Sequence, residues 1–397
     1  MATLAFVLTI LSGLIFILWV TRHILITSEQ RNSGALTPES PALEPDRAPW
    51  ISVVIAAKDE EDNIEACLRS VMAQEYPNLE IFACNDRSDD ATGEIIDRLA
   101  AEDDRVRAVH VRELPKGWSG KNHAVWTGIQ QARGDWLVTS DADCRFSNPK
   151  LLSVAVRHAL DRNADMLSIL PAFETQGFWE DVIQPVCGGV MMIWYKPARV
   201  NNPNTRTAYA NGAFLMISRP CYEDIGTHQA VRGELMEDLH MARRVKAAGR
   251  KLRVVQGRGL YTVRMYCGLK ATLRGWCRIF LGTFQTARRL MASLAMLTPG
   301  MLPYAIAAIG LAMAATGAEP NGWWWAAGLG GAAAAAMQLS VIYRFYGLMD
   351  ARPWLFWTYP LGSLAAATSV MWALLKLCTR SKVTWRGTSY AGASSGH

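Results

Sequence analysis

The sequence lacks the cysteine spacing that marks metal-binding proteins. Its eight cysteines are scattered along 397 residues, and Cys67, Cys84 and Cys277 lie within apolar patterns, which is typical of buried free thiols in a cytosolic domain. The sequence also lacks a nucleic-acid motif or an aromatic and basic platform, so no DNA or RNA partner is expected. The net charge of +6 suits instead a surface that faces anionic lipid.

Charged residues are few, at 19% of the chain, because long apolar runs lie at both ends. Residues 4–20 contain no charge and are long enough for one membrane span. A secretory signal peptide is the rival interpretation, but the run has no basic residues before it and no small-residue cleavage site after it. We therefore predict an N-terminal transmembrane helix over 1–22, followed by a flexible linker over 23–49 that is rich in Pro, Ser, Glu and Arg.

Three more apolar stretches follow the central part of the chain, over 296–316, 323–342 and 354–375. Trp and Tyr residues cluster at their ends, as in interfacial anchors of membrane helices. We predict C-terminal transmembrane segments over 296–378 and a tail over 379–397.

Lys and Arg near these spans predict the orientation of the chain. Arg22 follows the first span and a basic stretch over 270–289 precedes the second, so the positive-inside rule places the central domain in the cytoplasm. Three full C-terminal spans would then carry the basic residues of 376–386 to the far side, against the same rule. Either one stretch is re-entrant or the tail violates the rule, and the interruption at 299–303, with two prolines and a glycine, makes the first stretch the suspect.

The central part alternates strand and helix patterns. Residues 51–57, 79–84 and 106–111 are apolar runs rich in β-branched residues, and each is followed by a polar turn and then by apolar residues at helical spacing. This alternation predicts a mostly parallel sheet whose ligand lies at the carboxyl ends of its strands.

A further apolar run ends at two carboxylates, Asp141 and Asp143. Carboxylates at the carboxyl edge of such a sheet can hold a hard divalent cation against a diphosphate. A surface Asp-x-Asp turn without a ligand is the alternative interpretation, and the neighbouring motifs favour the site.

Together these motifs resemble those of the membrane-bound family 2 glycosyltransferases, which have the α/β nucleotide-diphosphosugar (GT-A) fold. Five segments in the family's order carry the resemblance: 54–64, 86–92, 120–124, 140–143 and 237–239. The segment 211–226 also looks like the family's, and the resemblance covers about 50–278. It is strongest to members that glycosylate membrane lipids, such as hopanoid-associated, carotenoid and ceramide glycosyltransferases. It implies a GT-A catalytic domain over 50–263, with α-helical transmembrane segments at both ends.

The resemblance assigns the nucleotide-sugar donor, expected to be a UDP-sugar, to residues at the strand ends. Ala57, Asp59 and Asp86 would contact the nucleoside. Asp141 would face the sugar or ribose, and Asp143, with Asp141 beside it, would ligate Mg²⁺ or Mn²⁺ at the diphosphate. Inverting transfer also needs such a cation to stabilise the leaving group.

Asp238 takes the role of general base in the resemblance. Acidic residues are also favoured in the first turn of any helix, which is the alternative for both Asp238 and Glu237. Because successive helical residues point about 100° apart, Glu237 is expected to matter much less than Asp238. Lys121 follows a glycine at a helix start, where its charge suits a phosphate, although a solvated lysine is equally compatible with the sequence. Glu60 is interpreted as part of a helix N-terminal charge cluster.

An amphipathic interfacial helix is predicted over 264–295, with cations at 270, 274 and 278. Many membrane members of the family carry Gln/Arg-x-x-Arg-Trp here to hold the diphosphate and the acceptor. This chain departs from that pattern, so the role passes to Arg274 or Arg278, and Arg278 is taken as the donor-binding candidate. Interfacial anchoring is the alternative for both.

The sequence thus predicts an inverting glycosyltransferase that moves a sugar from a nucleotide-diphosphate sugar to the hydroxyl of a membrane lipid. It would be a multi-pass protein of the bacterial inner membrane with a cytoplasmic catalytic domain. A processive polysaccharide synthase and a catalytically inactive scaffold of a lipid pathway are the alternatives. Few spans are available to line a polymer channel, and the set of carboxylates that catalysis needs is intact.

Overall fold

A computed structural model describes residues 1–32, 34–317, 322–379, 383–385 and 388–390. Most of the predicted tail over 379–397 therefore lies outside the described residues. The helices are α1 (Ala2–Asn32), α2 (Ile64–Met72), α3 (Thr92–Glu102), α4 (Gly120–Ile129), α5 (Leu151–Asp161), α6 (Phe178–Trp194), α7 (Pro197–Val200), α8 (Arg219–Asp224), α9 (Glu237–Ala247), α10 (Gly268–Phe284), α11 (Ala287–Leu297), α12 (Leu302–Ala315), α13 (Trp323–Leu348) and α14 (Tyr359–Cys378). Short 3₁₀ helices cover Pro45–Arg47, His228–Val231, Thr298–Gly300 and Pro353–Thr358.

The strands are β1 (Ile51–Ala57), β2 (Leu79–Asp86), β3 (Val106–Val111), β4 (Trp136–Asp141), β5 (Cys144–Arg145), β6 (Met166–Leu170), β7 (Ala172–Phe173), β8 (Phe214–Ser218), β9 (Leu252–Gln256), β10 (Thr262–Val263), β11 (Val383–Trp385) and β12 (Thr388–Tyr390). Seven of them form the central sheet in the order β3-β2-β1-β4-β8-β6-β9. The predicted mostly parallel sheet is confirmed, but β8 runs antiparallel to both β4 and β6. As a result, the start of β8 lies at the carboxyl end of β4, where Phe214 pairs with Ser140.

Helices cover both faces of this sheet, which explains why its strands are apolar on both sides. In β1, Val53 and Ile55 pack with Leu68 of α2 in one buried cluster. Val54, between them, belongs to the cluster on the opposite face, which includes Val125 of α4. These helices do not cover the polar residues at the strand ends.

The predicted flexible linker is packed on the catalytic domain. Leu36 is buried and forms a β-bridge with Gly257. The N–H of Leu43 donates to the carbonyl of Ser153 at 3.2 Å. Helix α1 also continues to Asn32, beyond the predicted boundary at residue 22. The composition of the segment suggested flexibility because its few apolar residues do not recur with a helix or strand period.

Three helical segments are long and apolar enough to cross a membrane: Ala2–Ser28, Trp323–Leu348 and Pro353–Cys378. The segments Ala287–Gly300 and Leu302–Ala315 form a fourth candidate together, with a bend of 42° between them. This break falls at the predicted interruption, 299–303. Nε2 of Gln338 in α13 donates to the carbonyl of Gly300 at 3.0 Å and so satisfies a backbone group that the break exposes.

The amphipathic helix predicted over 264–295 is two helices in the structure. Helix α10 ends at Phe284, and Gln285 has the left-handed backbone conformation, with φ of 54°. Helix α11 then begins at Ala287, where the Thr286 hydroxyl accepts the N–H of Arg289. Amphipathic periodicity continues through this break, so the pattern alone did not reveal it.

Candidate active site

A cavity of about 490 Å³ opens at the carboxyl end of the central sheet. Its floor includes Ala57 at the end of β1 and Asp141 at the end of β4, which lie on adjacent parallel strands. Residues of α6 and α10 and of the end of α13 form the opposite wall. The cavity therefore lies where the sequence predicted a ligand, between the sheet edge and the helices α6, α10 and α13.

Asp143, two residues after the end of β4, has a perturbed pKa. Burial, the charge of Asp141 and the charge of Glu60 raise the pKa of Asp143 to about 7. Its described side-chain partner is the Cys144 thiol, at 3.5 Å from Oδ1. The carboxylate is thus buried close to other acids, in surroundings that disfavour its charge until a cation is added.

Lys121 forms ion pairs with acidic residues of two different elements of the cavity. It lies in the first turn of α4, which the Ser119 hydroxyl caps by accepting the N–H of Asn122. Nζ of Lys121 is 2.6 Å from Asp141 and 2.7 Å from Glu237. Burial acts to lower the pKa of Lys121, but these two carboxylates together raise it well above the ordinary value. The side chain is thus an ion-paired cation in the cavity lining.

Asp238 lies in the first turn of α9 and is buried. Its Oδ2 accepts the N–H of Gly212 at 2.7 Å, and Oδ1 accepts the N–H of Leu239 at 2.7 Å. Burial and the charge of Glu237 raise the pKa of Asp238 to about 7. A carboxylate in this condition can exchange a proton near neutral pH.

Two acids that the sequence placed outside the site also line the cavity. Glu237 contacts Lys121, although the 100° separation of successive helical residues had suggested that it would matter much less than Asp238. The long side chain of Glu237 can bend toward Lys121, which the 100° separation of helical positions does not take into account. Glu60 also lines the cavity, although it was interpreted as a helix-capping charge. Its proximity to Asp143 arises from packing between two turns and has no local sequence signal.

Of the predicted nucleoside contacts, Ala57 and Asp86 line the cavity. Asp86 is buried, and its Oδ1 accepts a bond from Nε of Arg87 at 2.8 Å. Gly120 lies so close that a methyl group there would overlap the Asp86 carboxylate. Asp59 is not among the described residues that line the cavity. Its side chain instead accepts the N–H of Asp89 at 2.9 Å, next to the opening.

The structure separates the two arginines that the sequence left as alternatives. Arg278 lines the cavity, and its guanidinium donates to the Tyr266 hydroxyl at 2.9 Å. Arg274 is exposed and is not among the described residues of the cavity lining. Position in the cavity therefore favours Arg278 as the residue that can reach a bound diphosphate.

The wall opposite the carboxylates is apolar and was not identified from the sequence. Its side chains come from four separate parts of the chain: Phe173, Met191, Met192, Trp276 and Met349. Gly188 and Gly189 of α6 allow the end of α13 to approach, since a methyl group at either would meet Met349 or Phe345. Residues so distant in sequence give no joint signal until the fold brings them together.

The carboxylates of the cavity could hold a divalent cation only together with further ligands. Among the described residues, no group of three or more His, Cys, Asp or Glu side chains is arranged to hold a metal ion. Asp141 and Asp143 nevertheless supply the oxygen donors that Mg²⁺ and Mn²⁺ prefer. Such a site would be completed by oxygens of a bound diphosphate.

A comparison with protein families identifies the central part of the chain. The model of Glycosyl transferase family 2 matches residues 52–226, which include the strand ends that carry Asp86, Asp141 and Asp143. The matched segment thus contains the carboxylates at the strand ends, while α9, with Asp238, follows it.

Curated relatives have low identity to this chain. The 4,4'-diaponeurosporenoate glycosyltransferases of Staphylococcus aureus strains MRSA252 and USA300 are 23% and 22% identical to it over 253 residues. The match covers 62% of this chain and 64% of the length of each relative. This similarity fits the resemblance to carotenoid-related members of the family that the sequence indicated.

A solved structure supports the fold over almost the whole chain. The mannosyltransferase PcManGT from Pyrobaculum calidifontis, in complex with GDP-Man and Mn²⁺, is 19% identical. It superposes with a TM-score of 0.50 and covers 92% of this chain and 99% of its own. The GT-A fold predicted from the sequence is confirmed.

Proposed function

We propose that this chain is an inverting glycosyltransferase that moves a sugar from a nucleotide-diphosphate sugar to a hydroxyl group of a membrane lipid. The observation that carries the proposal is the cavity itself. It joins a cluster of carboxylates at the sheet edge to an apolar wall built by β7, α6, α10 and the loop after α13, and α6 and α10 pack against the membrane helices. A polar donor and an apolar acceptor could meet there without either leaving its preferred surroundings.

The donor would occupy the sheet edge. Asp86 and Ala57 would contact the nucleoside, and Asp59 would do so after a small movement of its turn. Lys121 and Arg278 would bind the diphosphate, because both are cations within the cavity lining. Mannosyltransferase PcManGT, which shares the fold, was solved with a nucleotide sugar. A UDP-sugar remains our prediction for this chain.

Asp143, with Asp141 beside it, would hold Mg²⁺ or Mn²⁺ at the diphosphate. When bound, the cation would neutralise negative charge on the leaving group. The raised pKa of Asp143 supports this assignment, since a nearby cation would relieve the repulsion from Asp141 and Glu60. PcManGT was solved with Mn²⁺ as well as its nucleotide sugar, which favours a divalent cation in this fold.

Asp238 would remove the proton from the acceptor hydroxyl. In a single displacement with inversion, the base lies across the sugar from the leaving diphosphate. Asp238 lies in α9, whereas Asp141 ends β4 and Asp143 lies in the turn after it. Lys121 pairs with Asp141 and with Glu237, the neighbour of Asp238. Tyr209 lines the same cavity, and burial and the charge of Asp238 raise the pKa of its hydroxyl, so it could help to position the acceptor.

A lipid acceptor is supported by the apolar wall and by the membrane portion. Trp276 and Met349 belong to α10 and to the loop after α13, so the same elements would contact both the acceptor and the bilayer. The S. aureus relatives are named for glycosyl transfer to diaponeurosporenoate. We place the reaction on the cytoplasmic face of a bacterial inner membrane, because basic residues flank the spans on the side of the catalytic domain.

The proposal is tested by purifying the chain in detergent and supplying radiolabelled UDP- and GDP-sugars with a membrane lipid extract. We expect label in a glycolipid that is absent from lipid extracts of cells without the gene. A labelled polymer of high mass would indicate a polysaccharide synthase instead. Nucleotide-sugar binding without transfer to any lipid fraction would favour the inactive scaffold.

A further inference from the structure

The last apolar helix, α14, begins next to the break between α11 and α12. Gly300 lies against Ser363, so closely that a methyl group at position 300 would overlap its side chain, and Tyr359 is also within contact. The same break accepts the hydrogen bond from Gln338 of α13. Gln338 is ten residues before Leu348, or about 15 Å along a helix. The start of α14 is therefore near the middle of the helical bundle.

The end of α14 returns toward the catalytic domain. Burial raises the pKa of the Cys277 thiol in α10, and the nearby charge of Lys376, in the last turn of α14, acts against this shift. Between its ends the helix packs along both α10 and α11. Helix α11 begins just after α10 ends and itself ends next to the break. Because α14 starts at this break and ends near α10, the helices α11 and α14 run antiparallel.

Helix α10 is attached to the catalytic domain over its whole length. At its start the N–H of Gly268 donates to Glu180 at 2.9 Å, and further along Arg278 donates to Tyr266. Near its end Gly282 lies against Met236. A helix whose last turn lies next to α10 therefore ends on the side of the catalytic domain.

Helices α1 and α13 define the opposite side. They run parallel, with Phe6 and Trp323 in edge contact at 4.9 Å at one end and His23 hydrogen-bonded to Arg344 at the other. The second end is next to the catalytic domain, where Arg258 donates to the carbonyl of Leu348 at 2.9 Å. The end that carries Phe6 and Trp323 is therefore the one that points away from the catalytic domain.

We infer that α14 does not cross the bilayer, although its length and composition would allow it, and that it enters and leaves on the side of the catalytic domain. This inference rests on the membrane placement in the proposed function. The exposed row of α14 would contact lipid of the adjacent leaflet, since these exposed apolar side chains recur at helical spacing: Leu361, Leu364, Met371, Trp372 and Leu375.

This placement removes the conflict in the charge pattern. The sequence carries Lys376, Arg380, Lys382 and Arg386 at and after the end of α14. A returning α14 keeps Lys376, which is the described residue among these cations, on the same side as Arg22, in agreement with the positive-inside rule. The sequence had made the first C-terminal stretch the suspect. We assign a broken but complete span to that stretch, α11 with α12, and the return to α14.

Two native cysteines allow a direct test. Cys267, just before α10, and Cys378, at the end of α14, are the exposed free cysteines among the described residues. The variants Cys267→Ser and Cys378→Ser each keep one of them. Sealed membrane vesicles of both orientations are treated with a membrane-impermeant maleimide. We expect both variants to be labelled from the same face.

A third variant marks the opposite face. Thr316→Cys, in a chain that carries both serine substitutions, places a thiol at the exposed end of α12. Labelling of Cys378 from the face that labels this variant would overturn the inference. If lipid shields Cys378 from both faces, a protease site added after His397 is cut from one face and decides in the same way. If Cys267 and Cys378 are labelled from the same face but the parent chain transfers no sugar to lipid, the proposed function is contradicted and the placement of α14 is unaffected.

Discussion

Two carboxylates in the cavity, Asp143 and Asp238, share a pKa raised to about 7, but for different local reasons. Asp143 is buried near Asp141 and Glu60, so a bound cation would relieve the repulsion between these carboxylates. Asp238 is buried next to Glu237 and accepts two backbone N–H groups, so it is held in place without a cation. Similar pKa values thus suit two different roles, metal ligand and proton acceptor.

Replacing Asp238 by Asn should abolish most of the transfer without unfolding the chain. An amide can still accept the N–H of Gly212, but it cannot take the proton of a hydroxyl group, and a general base contributes roughly 10²–10⁴-fold to rate. We expect kcat to fall by about two orders of magnitude or more. Donor affinity and the melting temperature should stay close to those of the parent, and turnover near the parent level would exclude Asp238 as the base.

The pH dependence should report the same group. Asp238 acts only when deprotonated, so kcat/KM should fall as the pH drops below about 7. The charge of Glu237 helps to raise that pKa, so Glu237→Gln should move the acid limb of the profile to lower pH. Asp161→Asn, which removes an exposed charge paired with Arg157, is the control and should leave the limb in place. An unchanged limb in Glu237→Gln would mean that another group titrates.

Asp143→Asn should remove cation-dependent transfer. We expect a chelator to stop the reaction of the parent chain and Mg²⁺ or Mn²⁺ to restore it. The Asn variant should fold, because burying an amide costs less than burying a charged carboxylate. It should not be rescued by added cation. Full activity of the parent in excess chelator would exclude the metal assignment.

At the scale of elements, local sequence patterns were sufficient to predict strands that are short apolar runs between polar turns. The bounds of β1 and β3 agree with the predicted 51–57 and 106–111 because each is a short apolar run between polar turns. The antiparallel direction of β8 had no such signal, since a strand's direction depends on where the preceding chain returns. The break at Gln285 was also hidden, because it depends on one residue's backbone conformation.

The close approach of α4 to the end of β2 gives a prediction at this scale. Gly120→Ala would force the start of α4 away from Asp86, because the added methyl group overlaps that carboxylate. We expect a higher KM for the donor, with a smaller change in kcat, as nucleoside contacts are displaced. Gly347→Ala is the matched control, since nothing lies within 4 Å of the added methyl group. Equal KM values for the two variants would contradict this role of Gly120.

At the scale of the whole molecule, the sequence predicted a catalytic domain between membrane segments but not how they combine. The apolar wall depends on contacts between α6, α10 and the end of α13, which are distant in sequence and have no shared period. The packed segment over 34–49 was missed for the same reason. Its contacts, such as the bridge between Leu36 and Gly257, are made to residues far away along the chain.

The side of the membrane can be measured at this packed segment. Asp46 is exposed and lies between α1 and β1. In a chain that carries Cys267→Ser and Cys378→Ser, Asp46→Cys should react with an impermeant maleimide only from the cytoplasmic face. Reaction from the periplasmic face would contradict the proposed donor as well, because nucleotide sugars made in the cytoplasm could not reach the cavity.

The charge of the cavity lining has a consequence for the order in which ligands bind. Acidic residues outnumber basic ones in the described lining, with Glu60, Asp86, Asp141, Asp143, Glu234, Glu237, Asp238 and Asp350 against Lys58, Lys121, Arg258 and Arg278. A diphosphate entering alone would meet repulsion and would have to displace carboxylates from Lys121. Cation and nucleotide should therefore bind as thermodynamically linked ligands, each raising the affinity of the other by the same factor.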